Sequence, residues 1–160
     1  MDIPVTTALR ALRDAHAVFE PITYNYADHG GTARAAKELG ISEHATVKTI
    51  IMETDGKKPF IILMHGDCEI STKQLARHMG VKSVSPCTPD IATRHTGYMV
   101  GGTSPFGLRK QLPVFAEATL FDLAELYING GRRGLLVKIS PTVLEQLLKP
   151  VRVHVANAGT

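Results

Sequence analysis

The sequence predicts a mixed α/β domain whose sheet is at least partly antiparallel. Three observations lead there. Segments with strand and helix patterns are interleaved along the chain. Several connections between them are of hairpin length. The composition, 44% hydrophobic and 21% charged over 160 residues, is that of a globular protein and not of a disordered one. A chain of this length can bury roughly 70% of the surface that its unfolded form exposes, so one domain over residues 1–160 is expected.

The elements follow in order. A first helix is expected from Pro4 to Asp14, with Pro4 in the first turn and Val5, Ala8, Leu9 and Leu12 on one face. Residues 18–26 read as extended, with Pro21 marking an edge. Gly30-Gly31 breaks the chain, Thr32 is placed to cap a short helix, and Gly40 to stop it. Residues 47–54 and 57–64 read as strands joined at Asp55-Gly56 by a two-residue turn. Ser71 and Gln74 form a capping-box pattern, Ile70 and Leu75 a hydrophobic staple, and that helix should end near Met79-Gly80. A short helix is expected from Asp90 to about His95. Residues 97–107 hold four glycines and a proline, and read as strand ends and loop. Residues 114–116, 125–129 and 134–139 read as strands. Ser140-Pro141 caps a last helix that stops before Pro150.

Several chemistries are excluded or disfavoured. The seven histidines include no HExxH and no paired spacing, and no CxxC is present. His16, His44, His65, His78 and His154 read as isolated, and no metal is expected. Gly97 and Gly102 bracket four residues as a Walker A loop would, but Thr103 stands where lysine is required. Gly130, Gly131 and Gly134 lack the dinucleotide spacing. Ser104 lies in Thr-Ser-Pro and not in GxSxG, which disfavours a serine hydrolase. Cys68 and Cys87 make no disulfide framework and read as reduced structural thiols. No apolar run reaches transmembrane length and no leader pattern opens the chain, so a cytoplasmic location is expected.

Lys48 is the informative residue. In a strand it shares its face with Ile50 and Met52. A cation on an apolar strand face either snorkels to water at a strand end or serves a cleft that holds an anionic or carbonyl-bearing ligand. The segments Gly101-Gly102-Thr103-Ser104-Pro105 and Asn129-Gly130-Gly131-Arg132-Arg133-Gly134 allow a backbone to approach a ligand closely, although either could be a simple tight turn. Charge is uneven. Residues 1–80 hold nine Lys/Arg and ten Asp/Glu, a balance of −1, and residues 81–160 hold nine and five, a balance of +4. A basic half suits a solvated surface or a polyanion.

Taken together, Val47-Lys48-Thr49, the run from Thr96 to Gly107, the run from Tyr127 to Leu135, and Phe19 with Thr23-Tyr24 resemble the YbaK/EbsC family of free-standing aminoacyl-tRNA deacylases. That family is related to the editing insertion of bacterial prolyl-tRNA synthetases. The motifs keep the family's order and spacing from about residue 4 to 154. The resemblance implies a mixed, largely antiparallel sheet flanked by helices. It also implies a proofreading enzyme that removes cysteine mischarged onto tRNA(Pro), with Cys-tRNA(Cys) as a further expected substrate. No metal, cofactor or covalent enzyme intermediate is implied: the substrate's own thiol attacks its ester carbonyl and leaves as a thiolactone, a lyase-like step.

Carried over by position, Lys48 is the essential cation beside the terminal adenosine and ester. Tyr24 lines the pocket, and the Gly101–Pro105 loop (Gly101, Gly102, Thr103, Ser104, Pro105) holds the aminoacyl carbonyl. Asn129, Gly130 and Gly131 lie beside the aminoacyl group. Arg109, Lys110, Arg132 and Arg133 are expected at acceptor-stem phosphates. Asn129 stands where these proteins usually carry serine, which bears on amino-acid choice. Ala33-Arg34, His95 and Phe106 also depart from the family pattern. The expected partners are aminoacyl-tRNA and, beyond it, prolyl-tRNA synthetase, with neither DNA nor membrane. The alternatives are a water-dependent Ala-tRNA(Pro) deacylase and a non-catalytic tRNA or synthetase binder. An envelope-related role is the weakest, for want of a leader.

Overall fold

The structure, a computed structural model, describes residues 3–158. Helix α1 (Thr7–Asp14) starts later than its apolar pattern suggests. The Thr6 hydroxyl accepts from the Leu9 N–H and caps the helix there, so Pro4 and Val5 precede it and Val5 is exposed. Strand β1 (Glu20–Thr23) follows. Helix α2 (Gly31–Leu39) begins after Gly30 and closes on Gly40 in the left-handed region. Thr32 is not its cap, because the hydroxyl instead donates to Glu43 and to the Gly66 carbonyl.

A 3-10 turn (Glu43–Ala45) leads into β2 (Thr46–Thr54), which pairs with β3 (Pro59–His65). Their connection is longer than the Asp55-Gly56 pattern predicts. The Lys57 N–H donates to the Thr54 carbonyl and the Thr54 N–H to the Lys58 carbonyl, with Lys57 at φ +61°. The loop is therefore three residues, with its left-handed position on a lysine. Strand β4 (Cys68–Ile70), α3 (Thr72–Met79), β5 (Val84–Pro86) and α4 (Pro89–Thr96) come next. Ser71 caps α3 through the Gln74 N–H, but the return half of the predicted box is not made, because the Ser71 N–H donates to the Val155 carbonyl instead. Residues 97–107 then form loop throughout. Strand β6 (Val114–Glu117), a 3-10 turn (Ala118–Asp122), β7 (Leu126–Asn129), β8 (Leu135–Ile139), α5 (Pro141–Leu148), β9 (Val151–Val153) and β10 (Ala156–Ala158) complete the chain.

The main sheet has eight strands in the order β1-β8-β7-β2-β3-β6-β9, with β5 also paired to β2. Pairs β1–β8, β8–β7, β2–β3 and β2–β5 are antiparallel, whereas β2–β7, β3–β6 and β6–β9 are parallel. A small antiparallel ribbon joins β4 to β10. The sheet is thus mixed and mostly antiparallel, as expected. The short strands β4, β5, β9 and β10 carry too few residues to show a period in the sequence.

Strand alternation gives the sheet two apolar faces. One packs Val47, Ile51, Ile61, Leu63, Ile128 and Val137 against α1, α4 and α5. The other packs Met52, Phe60, Ile62 and Met64 against Leu75 and Ala76 of α3, and Tyr127 and Leu136 against Ala35 of α2. Each fully buried side chain of this size contributes about 1.5–3 kcal/mol. The buried Glu117 carboxylate accepts from the backbone N–H groups of Val155 and Ala156 at 2.7 and 2.9 Å and so ties down the C-terminal strands. No helix among the described residues is long and apolar enough to cross a membrane.

Candidate active site

A change of partner along one edge of β2 creates the site. That edge pairs with β7 at Thr46 and Val47, and with β5 from Met52 to Thr54. Between the two pairings, Lys48–Ile50 have no strand partner on that side. A cavity of about 550 Å³ opens there. Its walls come from β2, the residues after β1, the start of α2, the 99–103 loop and the end of β7. A cleft at a split in a sheet is a common place for a ligand site.

Lys48 lines the cavity and is half-buried. Among the described residues no carboxylate stands within ion-pair distance of its ammonium. A sheet that half-buries a cation without pairing it leaves that charge to attract whatever enters. Tyr24 also lines the cavity, and burial, aided by nearby Tyr26 and Glu38, raises its hydroxyl above the ordinary range against an opposing backbone bond at Gly134. Tyr24 therefore stays protonated and neutral. Thr49 lines the cavity too, and its buried Oγ1 has no hydrogen-bond partner among the described residues.

The loop after α4 supplies the facing wall. Gly101 sits at φ +90°, and a Cβ there would stand 2.6 Å from Tyr26 Oη. A Cβ on Gly102 would stand 2.8 Å from the Arg133 backbone nitrogen. Both positions are closed to a side chain, one by conformation as well as space. The Gly102 N–H donates to the Met99 carbonyl at 2.9 Å and is spent within the loop. The Gly101 N–H has no protein partner among the described residues. Asn129 bridges this loop to the turn after β7. Its Nδ2 donates to the Gly101 carbonyl at 3.0 Å, and its Oδ1 accepts from the N–H groups of Gly131 at 2.7 Å and Arg132 at 3.2 Å. With both ends engaged, the carboxamide is locked.

Of the residues the sequence singles out, the structure gathers Lys48, Tyr24, Gly101, Thr103, Asn129 and Arg133 around this one cavity. Ser104 and Pro105 lie behind it, buried, where Ser104 Oγ accepts from the Phe106 N–H. Gly102, Gly130 and Gly131 form the backbone under the wall and do not line it. Arg132, Arg109 and Lys110 are exposed outside it, Arg109 lying against Gly97. The sequence reading missed Tyr26, Asp28, His29, Thr32 and Arg34, all of which line the cavity. The one available signal was polar density around Gly30-Gly31. Cys87 also lines it, and burial and Glu53 push its thiol up, against Lys57, so it remains protonated.

Two histidines read as isolated are stacked. The rings of His44 and His65 lie 3.7 Å apart at 7°. His44 Nδ1 and Asp67 Oδ1 are 2.8 Å apart, and Cys68 Sγ donates to the same oxygen. The ligand atoms of His44, Asp67 and Cys68 fall within 4.8 Å of one another. The trio is metal-like in composition, but each group already satisfies its neighbour.

Residues 29–147 match the family described as the aminoacyl-tRNA editing domain. The chain belongs to that family. This editing domain is 25% identical over 143 residues to a protein of Enterococcus faecalis named "Putative Cys-tRNA(Pro)/Cys-tRNA(Cys) deacylase EbsC", covering 89% of this chain and 87% of that one. It is 26% identical over 102 residues to the proline–tRNA ligase of Brachyspira hyodysenteriae, which is 64% of this chain but 18% of the ligase. Among solved structures, one described as "a putative trans-editing enzyme for prolyl tRNA synthetase" superposes with a TM-score of 0.84 at 20% identity, covering 98% of this chain and all (100%) of that one. A hypothetical protein superposes with a TM-score of 0.86 at 23% identity over 95% of this chain. These superpositions show the fold, and the editing domain acts in aminoacyl-tRNA deacylation.

Proposed function

We propose that this chain is a trans-editing deacylase that removes cysteine mischarged onto tRNA(Pro), and also acts on Cys-tRNA(Cys). One observation carries the reading: Lys48, whose ammonium has no carboxylate partner among the described residues, shares a cavity with a glycine loop whose Gly101 N–H is likewise unpartnered among them. A cation and a fixed N–H donor are what a developing oxyanion on an ester carbonyl requires. In this reading the 3′-terminal adenosine lies against Lys48, and Tyr24 contributes a neutral hydroxyl. The sulfur of the bound cysteine attacks its own ester carbonyl, and the C–O bond to the ribose breaks. The ribose oxygen takes the proton that the thiol gives up, and the amino acid departs as a thiolactone. Holding thiol and carbonyl together supplies the rate, so no protein nucleophile is needed. Cys87, kept protonated, does not compete for that role.

Asn129 sets the amino-acid preference in this scheme. Its carboxamide is engaged at both ends, so it presents a fixed edge to the aminoacyl group and not a free donor. The domain works as one unit in the cytoplasm, on tRNA released by prolyl-tRNA synthetase. Arg109, Lys110 and Arg132 lie outside the cavity, where an acceptor stem would pass.

Hydrolysis of Cys-tRNA(Pro), Ala-tRNA(Pro) and Ser-tRNA(Pro) by the purified protein tests this. Rapid loss of cysteine alone, with a thiolactone product, is expected. Equal loss of alanine would replace the thiol mechanism with attack by water. Binding without turnover would leave a tRNA-binding module.

A further inference from the structure

Arg133 is well placed for something other than a phosphate. Its Nε donates to the Val100 carbonyl at 2.8 Å, across the gap from the turn after β7 to the loop after α4. Its guanidinium carbon lies 5.0 Å from the centre of the Tyr26 ring, within cation–π range. Tyr26 Oη in turn packs against Gly101. The next carbonyl along, that of Gly101, is held by Asn129. Two successive carbonyls are thus captured by side chains from the end of β7 and the turn that follows it. In a trans peptide the C=O and the following N–H point in opposite directions. Holding the Val100 carbonyl therefore fixes the direction of the Gly101 N–H, which has no partner among the described residues.

We propose that Arg133 is a positioning residue, which aims the Gly101 N–H by strapping Val100 to the turn that follows Asn129. The inference rests on the deacylase reading for its consequence in turnover, but not for the strap itself. The strap uses Nε as a donor and does not require the positive charge at that bond. Glutamine carries Nε2 the same number of bonds from Cα as arginine carries Nε. Arg133→Gln therefore keeps the donor and loses the charge, whereas Arg133→Met loses both and keeps the length.

The test compares these two variants with the unaltered protein in single-turnover deacylation of Cys-tRNA(Pro) at two salt concentrations. Backbone amide exchange over residues 99–103 is measured in parallel. Arg133→Met is expected to lower the saturating single-turnover rate constant by about tenfold or more with the half-saturating concentration within about twofold, since a misaimed donor costs the chemical step. Arg133→Gln should stay within about threefold of the unaltered protein. Exchange in the loop should quicken in the Met variant alone. Equal losses in both variants, with a log–log salt slope of tRNA binding shallower by about one, would make Arg133 a phosphate contact instead. No change in the Met variant would overturn the strap. If the unaltered protein deacylates nothing, the functional reading fails, and amide exchange still decides the strap.

Discussion

Lys48 and the Gly101 loop face the same cavity but are held by opposite means. Lys48 rides on β2, whose backbone is paired with β3 from Val47 to Glu53 and whose flanking residues Val47, Ile51 and Met52 are buried. Residues 97–107 have no ladder at all. Side chains hold their backbone: Tyr98 Oη donates to the Phe106 carbonyl, Ser104 Oγ accepts from the Phe106 N–H, and Asn129 and Arg133 take the carbonyls of Gly101 and Val100. A sheet can place a cation without depending on what the cation is. A loop of this kind owes its shape to particular side chains. Substitutions at Lys48 should therefore separate activity from folding, whereas substitutions in or behind the loop should couple them.

The largest effect is expected at Lys48. Lys48→Ala should reduce single-turnover deacylation by about a hundredfold or more while leaving the melting temperature within about two degrees, because the strand ladder remains. A collapse in melting temperature would mean that the strand does not carry the cation independently. Gly101→Ala comes next. With φ at +90° and Tyr26 Oη 2.6 Å from the new Cβ, it should cost about 1–3 kcal/mol of stability, read by urea unfolding, together with at least about tenfold in kcat. Activity without a stability cost would show that the loop tolerates movement.

Tyr98→Phe sharpens the contrast from behind the loop. The buried hydroxyl also meets Thr7 Oγ1 at 2.8 Å and so pins the loop to α1. Its removal leaves the Phe106 carbonyl short of a donor and should destabilise by about 1–3 kcal/mol, with a smaller loss of kcat than Gly101→Ala gives. The smallest effect lies outside both regions, at Asp67. Burial raises its carboxyl, but hydrogen bonds from His44 and Cys68 outweigh that and hold it below the ordinary carboxylate value. A lowered folded-state value stabilises above the unfolded pKa, and that contribution is lost as pH falls through the folded one. The pair is exposed, so Asp67→Asn, which leaves the His44–His65 stack in place, should cost no more than a few tenths of a kcal/mol at neutral pH and nothing in strong acid. Urea titrations at two pH values measure it.

The contrast also explains what the sequence disclosed. Lys48 stood out because a lysine breaks an apolar strand period, and periods are readable from one chain. The glycines of the loop stood out because few residues tolerate such backbone. The positions of β2, β3, α3, β8 and α5 followed from alternation and caps. What stayed hidden depended on long-range meetings. The His44–His65 stack spans 21 residues, and the bond from Arg133 to Val100 spans 33. Neither leaves a local pattern. Thr32 and Lys57 misled for a related reason: Thr32 spends its hydroxyl on Glu43 and Gly66, and a lysine accepts a left-handed turn that glycine usually takes.

The pairing of β1 with β8 has a consequence for how the molecule is made. Glu20 lies opposite Lys138, so the strand leading to Tyr24 has no neighbour in the sheet until residues 135–139 have been synthesised. Lys48 and Tyr24 are synthesised before β7 and β8, yet those strands must be laid between theirs before the two residues can face one cavity. Such distant pairing delays folding. A nascent chain holds the cation and the tyrosine without holding a pocket until β8 has been made, and competence arrives with that strand.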